Sequence, residues 1–472
     1  MTEQKQEKGS ITVFLSLVLL VLLSLVAQIM QEAMFQADRI KLSSAMEVSL
    51  NAVLGEYCKE VLEDYGVFFL DASEENGVFG IEHVASRLDY YMYKNVQEQS
   101  GMLQMQLCDT QISHYTLATD NDGAVFVQEA VKAYQEKIAA KTIEQAFEKS
   151  KKYKEAETAR ETVENNQVEA SELAIPKDVE VDLEEKKEAE KITNPVEVIE
   201  ALKANSLLGI VGWDLNFSDN AMDLNNTLQH RKLNQGNYKK EQKTSVTDQM
   251  IFDLYLKDQF FNFRNCKSKE DSSCLQYEIE YLISGKAGDK ENLAGVLEKI
   301  IWIREGINFV YLLNDSVKMA EADALATALV GYTGIAPLVV AMKYAILAVW
   351  AYGESLLEAR ILLTGGKVDF AKTNANWKLQ LSSLANVATI LKGESKGDER
   401  GMTYEEYLGV LLSAVTQKNK SYRSMDLIEK QIQSSTNVTS FRMDCCLSYI
   451  EGEVSALSRC GRELLVCKAI GY

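Results

Sequence analysis

A long apolar run, Ile11 to Met30, lies near the N-terminus of the chain. It carries no charge and has about twenty residues, the length that a helix rising ~1.5 Å per residue needs to cross a ~30 Å hydrocarbon core. Its serines, Ser16 and Ser24, can return hydrogen bonds to the helix itself. The pattern therefore predicts a transmembrane helix.

After this run, hydrophobic residues recur at steps of three and four, which is typical of an amphipathic helix. The pattern lasts to Tyr65, and Gly66 stands where a C-terminal cap belongs. One helix from Ile11 to Tyr65 would be ~80 Å long. The alternative is a transmembrane helix followed by a separate amphipathic helix.

The rest of the pattern predicts a mainly α protein with a minor β part: the long N-terminal helix carries a helical extracytoplasmic head. The small number of prolines, three in 472 residues, favours long uninterrupted helices. Residues near 102–118 and 437–472 have the composition of small strands. Helical spacing recurs over 81–96, 250–263, 277–284, 291–314, 316–330, 379–391 and 404–416.

Changes in composition along the chain predict six segments. One of them, 132–193, is rich in Glu, Lys, Gln and Ala with few large apolar residues, so it suits a solvated helix or disordered insert rather than a core. The segments are a cytoplasmic leader (1–9), a transmembrane helix and stalk (10–66), a membrane-proximal α+β segment (67–131), a charged helical or disordered spacer (132–193), a helical head (194–436) and a C-terminal β segment (437–472).

A second apolar stretch, 324–352, is long enough to span a membrane. It contains Lys343, and a charge at the centre of a span costs ~2.5–3.5 kcal/mol by insertion scales. Pro337 and several glycines also dilute the apolar run. We therefore favour a buried helix pair in the head, with a second span as the alternative.

The distribution of charge predicts the topology. Lys5 and Lys8 precede the first apolar run, and positive charge stays on the cytoplasmic side, so we expect a single-pass protein of the cell membrane with its C-terminal bulk outside. The formal net charge of −19 argues against nucleic acid as a partner, because phosphate binding needs a basic face. The predicted partners are membrane lipid, through 11–30, and other proteins.

Three interpretations of the N-terminal segment stay open: an uncleaved anchor, a cleaved secretory signal and a prepilin-like leader. A cleaved signal would need a shorter apolar region and small residues at a cleavage site. The prepilin-like interpretation places processing between Gly9 and Ser10, directly before the apolar helix. Pilins carry a Glu at the fifth position after that point, whereas this chain has Phe14.

Two motifs could belong to a metal site or a disulfide. Asp120, Asp122 and Glu129 match ligand positions 3, 5 and 12 of a calcium loop, but position 1 is Ala118. The alternative is a turn in which Asp120 or Asp122 caps the following helix.

Among the eight cysteines, Cys266 and Cys274 flank a polar stretch, so they are the best candidates for a disulfide outside a membrane. Free thiols packed as small hydrophobic groups are the alternative.

Catalytic motifs are missing from the sequence. The three histidines are widely separated, and there is no HExxH, GxSxG or GxxxxGK[ST] motif. We therefore expect no cofactor and no enzymatic activity.

Several stretches carry a resemblance that covers most of the chain. They are GSITVFLSLVLLVLLSLV at 9–26, Ala37-Asp38-Arg39, Leu62 to Phe68, Asn194 to Ile199, Glu291 to Leu293, Arg304 to Phe309 and Ala348 to Ser355. With them the chain resembles a family of uncharacterised single-pass membrane proteins of Gram-positive bacteria, which carry a domain of unknown function. That family is often associated with tight-adherence (Tad/Flp) type IV-like pilus systems, and the N-terminus is similar to TadE/TadG-like pseudopilins.

The resemblance brings no catalytic residues and implies a surface role. We therefore predict a membrane-anchored extracytoplasmic structural or assembly protein, pseudopilin-like, of a Tad-like pilus or surface apparatus. The alternatives are a membrane-anchored cell-wall hydrolase and a surface receptor or binding module.

Overall fold

The computed structural model describes residues 3–73, 77–96, 105–135, 137–138, 151–152, 154–162, 192–238, 244–267, 273–393, 396–435 and 439–472, with side chains from Ile11 onward. The expected fold class, mainly α with a minor β part, is confirmed. Most of the charged spacer expected at 132–193, and residues 102–104 of the first expected strand, lie outside the described residues.

The described residues form helices and one small antiparallel sheet. Residues 151–152 and 154–162 are helical. The labelled helices are α1 Glu3–Leu54, α2 Lys59–Tyr65, α3 Ile81–Val96, α4 Asp120–Gln135, α5 Pro195–Lys203, α6 Leu207–Val211, α7 Val246–Gln259, α8 Glu278–Ser284, α9 Asp289–Asn314, α10 Ser316–Val330, α11 Ala336–Leu363, α12 Val387–Ile390, α13 Tyr404–Ala414 and α14 Gln417–Ser435. The strands are β1 Leu70–Asp71, β2 Gln106–Leu117, β3 Cys446–Leu457 and β4 Glu463–Gly471.

The long helix α1 continues without a break from the apolar segment through the amphipathic pattern, but it ends at Leu54 instead of the expected Tyr65, and a short separate helix, α2, covers Lys59–Tyr65. Gly55 lies at the break, where its N–H still donates to the carbonyl of Asn51 at 2.9 Å. The N–H of Cys58 then donates to the carbonyl of Phe69 at 2.8 Å, which turns the chain toward the sheet. Gly66 ends α2 in the left-handed conformation, as its position predicts.

The chain divides into two compact units, and neither is continuous in sequence. The first comprises Met1–Glu129, Lys232–Lys243 and Ser435–Tyr472, and the second comprises Ala130–Arg231 and Thr244–Ser434. The division into six segments by composition stays a prediction.

The sheet of the first unit is organised around β3. Strand β2 pairs with one edge of β3 over its whole length, while β1 and β4 pair with successive parts of the other edge. Burial alternates along β3, because successive side chains point to opposite faces of a sheet. One face of β3 is therefore available for helix packing.

The second half of α1 packs on that face together with α3. Its buried residues recur at helical spacing and meet apolar side chains of the strands in one cluster: Leu42, Met46, Leu50 and Val53 from α1, Val84, Leu88 and Met92 from α3, and Ile450, Val454 and Leu464 from the sheet. Gly452 of β3 lies directly under Met46, where any Cβ would overlap the Met46 side chain. The absence of a side chain at Gly452 lets the helix approach the sheet closely.

The second unit is helical, with α9 and α11 packed against each other at its centre. Local signals set several helix starts: Asn194 caps α5 before Pro195, and Thr403 forms a capping box at α13. The predicted helix 316–330 coincides with α10. In α11, the residues from Ile346 to Leu363 are almost all buried, so this half belongs to the core of the unit.

Candidate functional site

Two helices in the described structure are long and apolar enough to cross a membrane, 11–54 of α1 and Ala336–Leu363 of α11. They differ in burial, because only α11 has buried residues in its most apolar part. The side chains from Ile11 to Met30 are all exposed. This segment is compatible with a membrane anchor, and a signal sequence would pass the same test.

The two serines of this segment form hydrogen bonds within the helix. Ser16 Oγ donates to the carbonyl of Val13 at 2.9 Å, and Ser24 Oγ donates to the carbonyl of Val21 at 2.8 Å. Such bonds remove the cost of placing a hydroxyl in a medium without water. Both serines are therefore suited to an apolar environment.

A second feature is a cluster of four charged side chains buried between α9, α11 and the segment that follows α11. Arg304 Nε and Nη2 each donate to a carboxylate oxygen of Glu358 at 2.8 Å. Lys372 Nζ lies 2.7 Å from Glu358 and 2.5 Å from Glu354. All four side chains are at most 2% exposed. We call this set the buried charge cluster.

The charges of the buried charge cluster balance, and hydrogen bonds satisfy most of its polar atoms. Burial opposes ionisation of Glu358, but the adjacent Arg304 and Lys372 outweigh it and hold the pKa of Glu358 below its ordinary value. Asn308 Nδ2 also donates to Glu358 at 2.9 Å, whereas its Oδ1 is buried and has no hydrogen-bond partner in the described structure. The cluster is therefore suited to fixing α9 against α11.

A cavity of about 1120 Å³ opens beside this cluster in the same unit. Glu354 fixes the backbone of one wall of the cavity, because the Glu354 carboxylate accepts hydrogen bonds from the N–H groups of Lys378 at 3.0 Å and Leu379 at 2.7 Å. The indole of Trp350 donates to the carbonyl of Leu379 at 2.8 Å. The side chains that line the cavity include Lys318, Glu321, Trp350, Trp377, Gln380 and Asn386.

The cation Lys318 lies over the two tryptophans of this cavity. Its Nζ is 5.3 Å from the ring centroid of Trp350 and 5.2 Å from that of Trp377, within the range of a cation–π contact. The opening thus combines aromatic rings, lysine side chains, the carboxylate of Glu321 and neutral amides. These groups are suited to holding a polar ligand.

The predicted calcium ligands are not assembled into a metal site. Asn121 and Asp122 adopt left-handed conformations before α4 becomes regular, and the Asp120 carboxylate accepts the N–H groups of Leu117 at 2.8 Å and Gly236 at 3.0 Å. Glu129 Oε1 lies 3.3 Å from Ser448 Oγ instead. Within the described ranges, no three His, Cys, Asp or Glu residues form a group that could hold a metal ion.

The remaining predicted site residues are the two at the expected processing point and the two cysteines of the expected disulfide. Gly9 and Ser10 belong to α1, whose backbone is helical through both positions. Cys266 and Cys274 are free thiols in the structure, and Cys274 Sγ lies 3.1 Å from Ser434 Oγ. Processing at Gly9 and the disulfide both stay predictions.

Comparison with known proteins gives one match. A family model described as a family of unknown function (DUF5702) matches residues 185–457, which is more than half of the chain. The chain belongs to this family. No curated protein and no solved structure matches it. The matched DUF5702 residues include the buried charge cluster and the cavity, while α1 precedes them.

The sequence analysis missed the buried charge cluster, although a local signal was present. Arg304 and Asn308 are four residues apart in the apolar helix α9, and Glu354 and Glu358 are four residues apart in α11. Residues at this spacing lie on one helix face. Two such polar pairs inside apolar helices indicate partners that neutralise each other, but the spacing does not identify which helices meet.

Proposed function

We propose that this DUF5702 protein is a membrane-anchored extracytoplasmic structural or assembly protein, pseudopilin-like, of a Tad-like pilus or surface apparatus. The apolar segment 11–30 crosses the cell membrane once. The leader with Lys5 and Lys8 lies on the cytoplasmic side, and the remainder of the first unit, from Gln31 onward, lies outside together with the second unit.

The single observation that carries this proposal is the division of α1 into two halves. The first half exposes every apolar side chain from Ile11 to Met30, whereas the second half is buried against an antiparallel sheet from Leu42 onward. A helix used in this way resembles the plan of pilin-like subunits, in which one helix serves as both anchor and core element. The short polar leader that ends at Gly9 supports the same interpretation.

We also propose that the protein is not an enzyme. The carboxylates that are most deeply buried next to the cavity, Glu354 and Glu358, are neutralised by Arg304 and Lys372. A hydrolase would need an acid or base that is free to exchange a proton with its substrate. Glu354 and Glu358 are committed to structural contacts, so neither of them supplies such a group.

The cavity beside Trp350 and Trp377 favours a second candidate function, that of a surface receptor or binding module. Its test is a titration of the full chain in detergent with soluble cell-surface oligosaccharides, followed by tryptophan fluorescence. A saturable change that is lost in Trp377→Ala would support the binding module. A flat titration with every oligosaccharide would leave the assembly role as the better account.

The assembly role is tested by mass spectrometry of the mature N-terminus, combined with purification of the chain from its native membranes after mild crosslinking. We expect a mature chain that starts at Ser10 and crosslinks to pilus components. A mature N-terminus upstream of Gly9 together with no crosslinked pilus component would contradict the pseudopilin-like role. It would still leave an anchored binding module open.

A further inference from the structure

We propose that the turn between β3 and β4, Ser458 to Arg462, lies in the lipid headgroup layer and that Arg462 binds a phospholipid phosphate there. This inference rests on the anchoring of α1 proposed above and adds a second point of contact with the membrane. The turn has the sequence Ser-Arg-Cys-Gly-Arg, with two cations and no carboxylate. Gly461 adopts φ +72°, which favours glycine and lets the hairpin close tightly.

The turn contacts α1 directly after the apolar segment ends at Met30. Cys460 Sγ lies 3.6 Å from the carbonyl oxygen of Gln31, the first residue after the segment. Arg462 Nη1 lies 2.8 Å from the Glu32 carboxylate, and its guanidinium lies 3.8 Å from the ring centroid of Phe35. The turn is therefore attached to α1 at the level of Gln31 to Phe35.

The rise per residue of helix α1 gives the depth of these contacts in the membrane. At ~1.5 Å per residue, Glu32 lies ~3 Å and Phe35 ~8 Å beyond Met30 along the axis of an upright helix. The polar layer of one leaflet is ~5–8 Å thick, from a bilayer of ~40–45 Å with a ~30 Å core. If Met30 marks the end of the hydrocarbon core, Arg462 lies within the headgroup layer.

The two arginines of the turn have different roles. Arg459 is fixed by the buried carboxylate of Asp38, to which its Nε donates at 2.8 Å and its backbone N–H at 3.0 Å. Arg462 uses Nη1 for Glu32, and in the described part of the chain its Nε and Nη2 make no hydrogen bond.

The Arg462 side chain is also 54% exposed. A guanidinium with free donors binds phosphate oxygens well, so Arg462 is the lipid ligand and Arg459 holds the turn in place.

The test introduces a photoactivatable benzoylphenylalanine into the full chain, reconstituted in vesicles of phosphatidylglycerol and phosphatidylcholine in equal parts. The probe replaces Cys460 in the turn, Leu20 in the apolar segment or the exposed Val78. Val78 is the matched control, because its loop lies at the end of β3 that is opposite the turn. Two hydrogen bonds hold the loop there: the N–H of Gly80 donates to the carbonyl of Ala72, and the N–H of Ala72 donates to the carbonyl of Cys445, just before β3 begins. Mass spectrometry then detects crosslinked phospholipid.

We expect phospholipid adducts at positions 20 and 460 and none at position 78. Adducts at position 20 without any at position 460 would overturn this inference and leave the anchor intact. The absence of adducts at position 20 would overturn the anchor and this inference with it. Adducts at all three positions would show unspecific lipid contact and would also overturn the assignment to the turn.

The role of Arg462 is tested without a probe, by solid-state NMR distance measurements between guanidinium ¹⁵N and lipid ³¹P. The wild-type chain in the same vesicles is compared with Arg462→Gln. The matched control is Arg87→Gln, which removes an arginine that pairs with Glu56 beyond the end of α1. We expect Arg462→Gln to lose the short N–P contact. We also expect it to reduce the adduct yield at position 460 about fivefold, the equivalent of ~1 kcal/mol per basic residue at an anionic surface. An unchanged contact in Arg462→Gln would overturn the assignment.

Discussion

Glu358 balances the buried charge cluster, and we expect Glu358→Gln to destabilise the second unit strongly. The wild-type cluster contains two cations, Arg304 and Lys372, and two carboxylates, Glu354 and Glu358. The variant keeps both cations but only one carboxylate. One positive charge then remains buried without a neutralising partner.

The size of the expected loss in stability follows from the burial of Arg304 and Glu358. Arg304 is 0% and Glu358 1% exposed, so water cannot replace the lost carboxylate. Removing one partner of a buried ion pair costs ~3–5 kcal/mol. The amide of the new glutamine would also direct N–H donors toward Arg304 and Lys372, which are donors themselves. This loss is a large part of the ~5–15 kcal/mol that stabilises a typical domain.

Tryptophan fluorescence reports on the second unit specifically. All four tryptophans of the chain, Trp213, Trp302, Trp350 and Trp377, lie in this unit. Urea denaturation of the full chain in detergent, followed by fluorescence, therefore measures the unfolding of the unit that contains Glu358. The expected result is a lower midpoint at an unchanged denaturant slope.

The matched control is Asp219→Asn, which removes a carboxylate from an exposed ion pair in the same unit. Asp219 lies 2.5 Å from Lys290, and the two side chains are 83% and 42% exposed. Exposed pairs contribute ~0–1 kcal/mol, so we expect a small shift. If Glu358→Gln cost no more than Asp219→Asn, the reasoning about the buried charge cluster would be refuted.

Three further predictions follow from other buried groups. Burial raises the pKa of Glu280 to about 7 from 4.5, so the folded state holds its proton more tightly and the stability of the second unit falls as the pH rises from 4.5 through 7. Glu280→Gln should reduce this fall by up to ~3 kcal/mol in urea titrations at several pH values, and an unchanged pH dependence would contradict the assignment. Gly452→Val should cost ~1–3 kcal/mol of stability in the first unit, because the new side chain overlaps Met46. The loss is measured as reduced hydrogen-exchange protection of the β3 amides, and unchanged protection would contradict the close packing. Asp120→Ala should cost ~1–3 kcal/mol of stability by leaving buried N–H groups without an acceptor. The hydrogen-exchange rate of the Gly236 amide should rise, and an unchanged rate would show that another acceptor replaces the carboxylate.

Much of the fold was predictable from local sequence patterns. The helices at 81–96 and 316–330 have the predicted bounds, because apolar spacing and capping residues act within a few residues of each other. Strand composition also located β2, β3 and β4. These elements carry their signal in their own residues.

The pairing of the elements was not predictable in this way. Strand β3 pairs with β2 across more than 300 residues, as in the bond from Ser113 Oγ to the carbonyl of Glu451. No local pattern records which distant strand supplies the partner. The first unit therefore combines the N-terminal and C-terminal parts of the chain, which a division by composition along the sequence does not reveal.

The candidate sites show the same limit. The apolar segment 11–30 was evident, since its length and lack of charge are sufficient to predict a span. The buried charge cluster depends on Arg304, Glu358 and Lys372 meeting from three separate places in the chain. Charged residues are usually exposed, so each of these residues taken singly indicates a surface position.

The central claim is that the chain has a single N-terminal anchor and that everything after Met30 lies outside. Protease accessibility in sealed, right-side-out membrane vesicles tests this claim most directly. Peptide mass spectrometry after digestion identifies every segment that remains protected. The account predicts that protection ends shortly after Met30 and that all later segments are cleaved once the protein is unfolded with urea. Protection of the N-terminal half of α11, with later segments also protected, would mean that the second apolar stretch spans the membrane, and it would contradict the account.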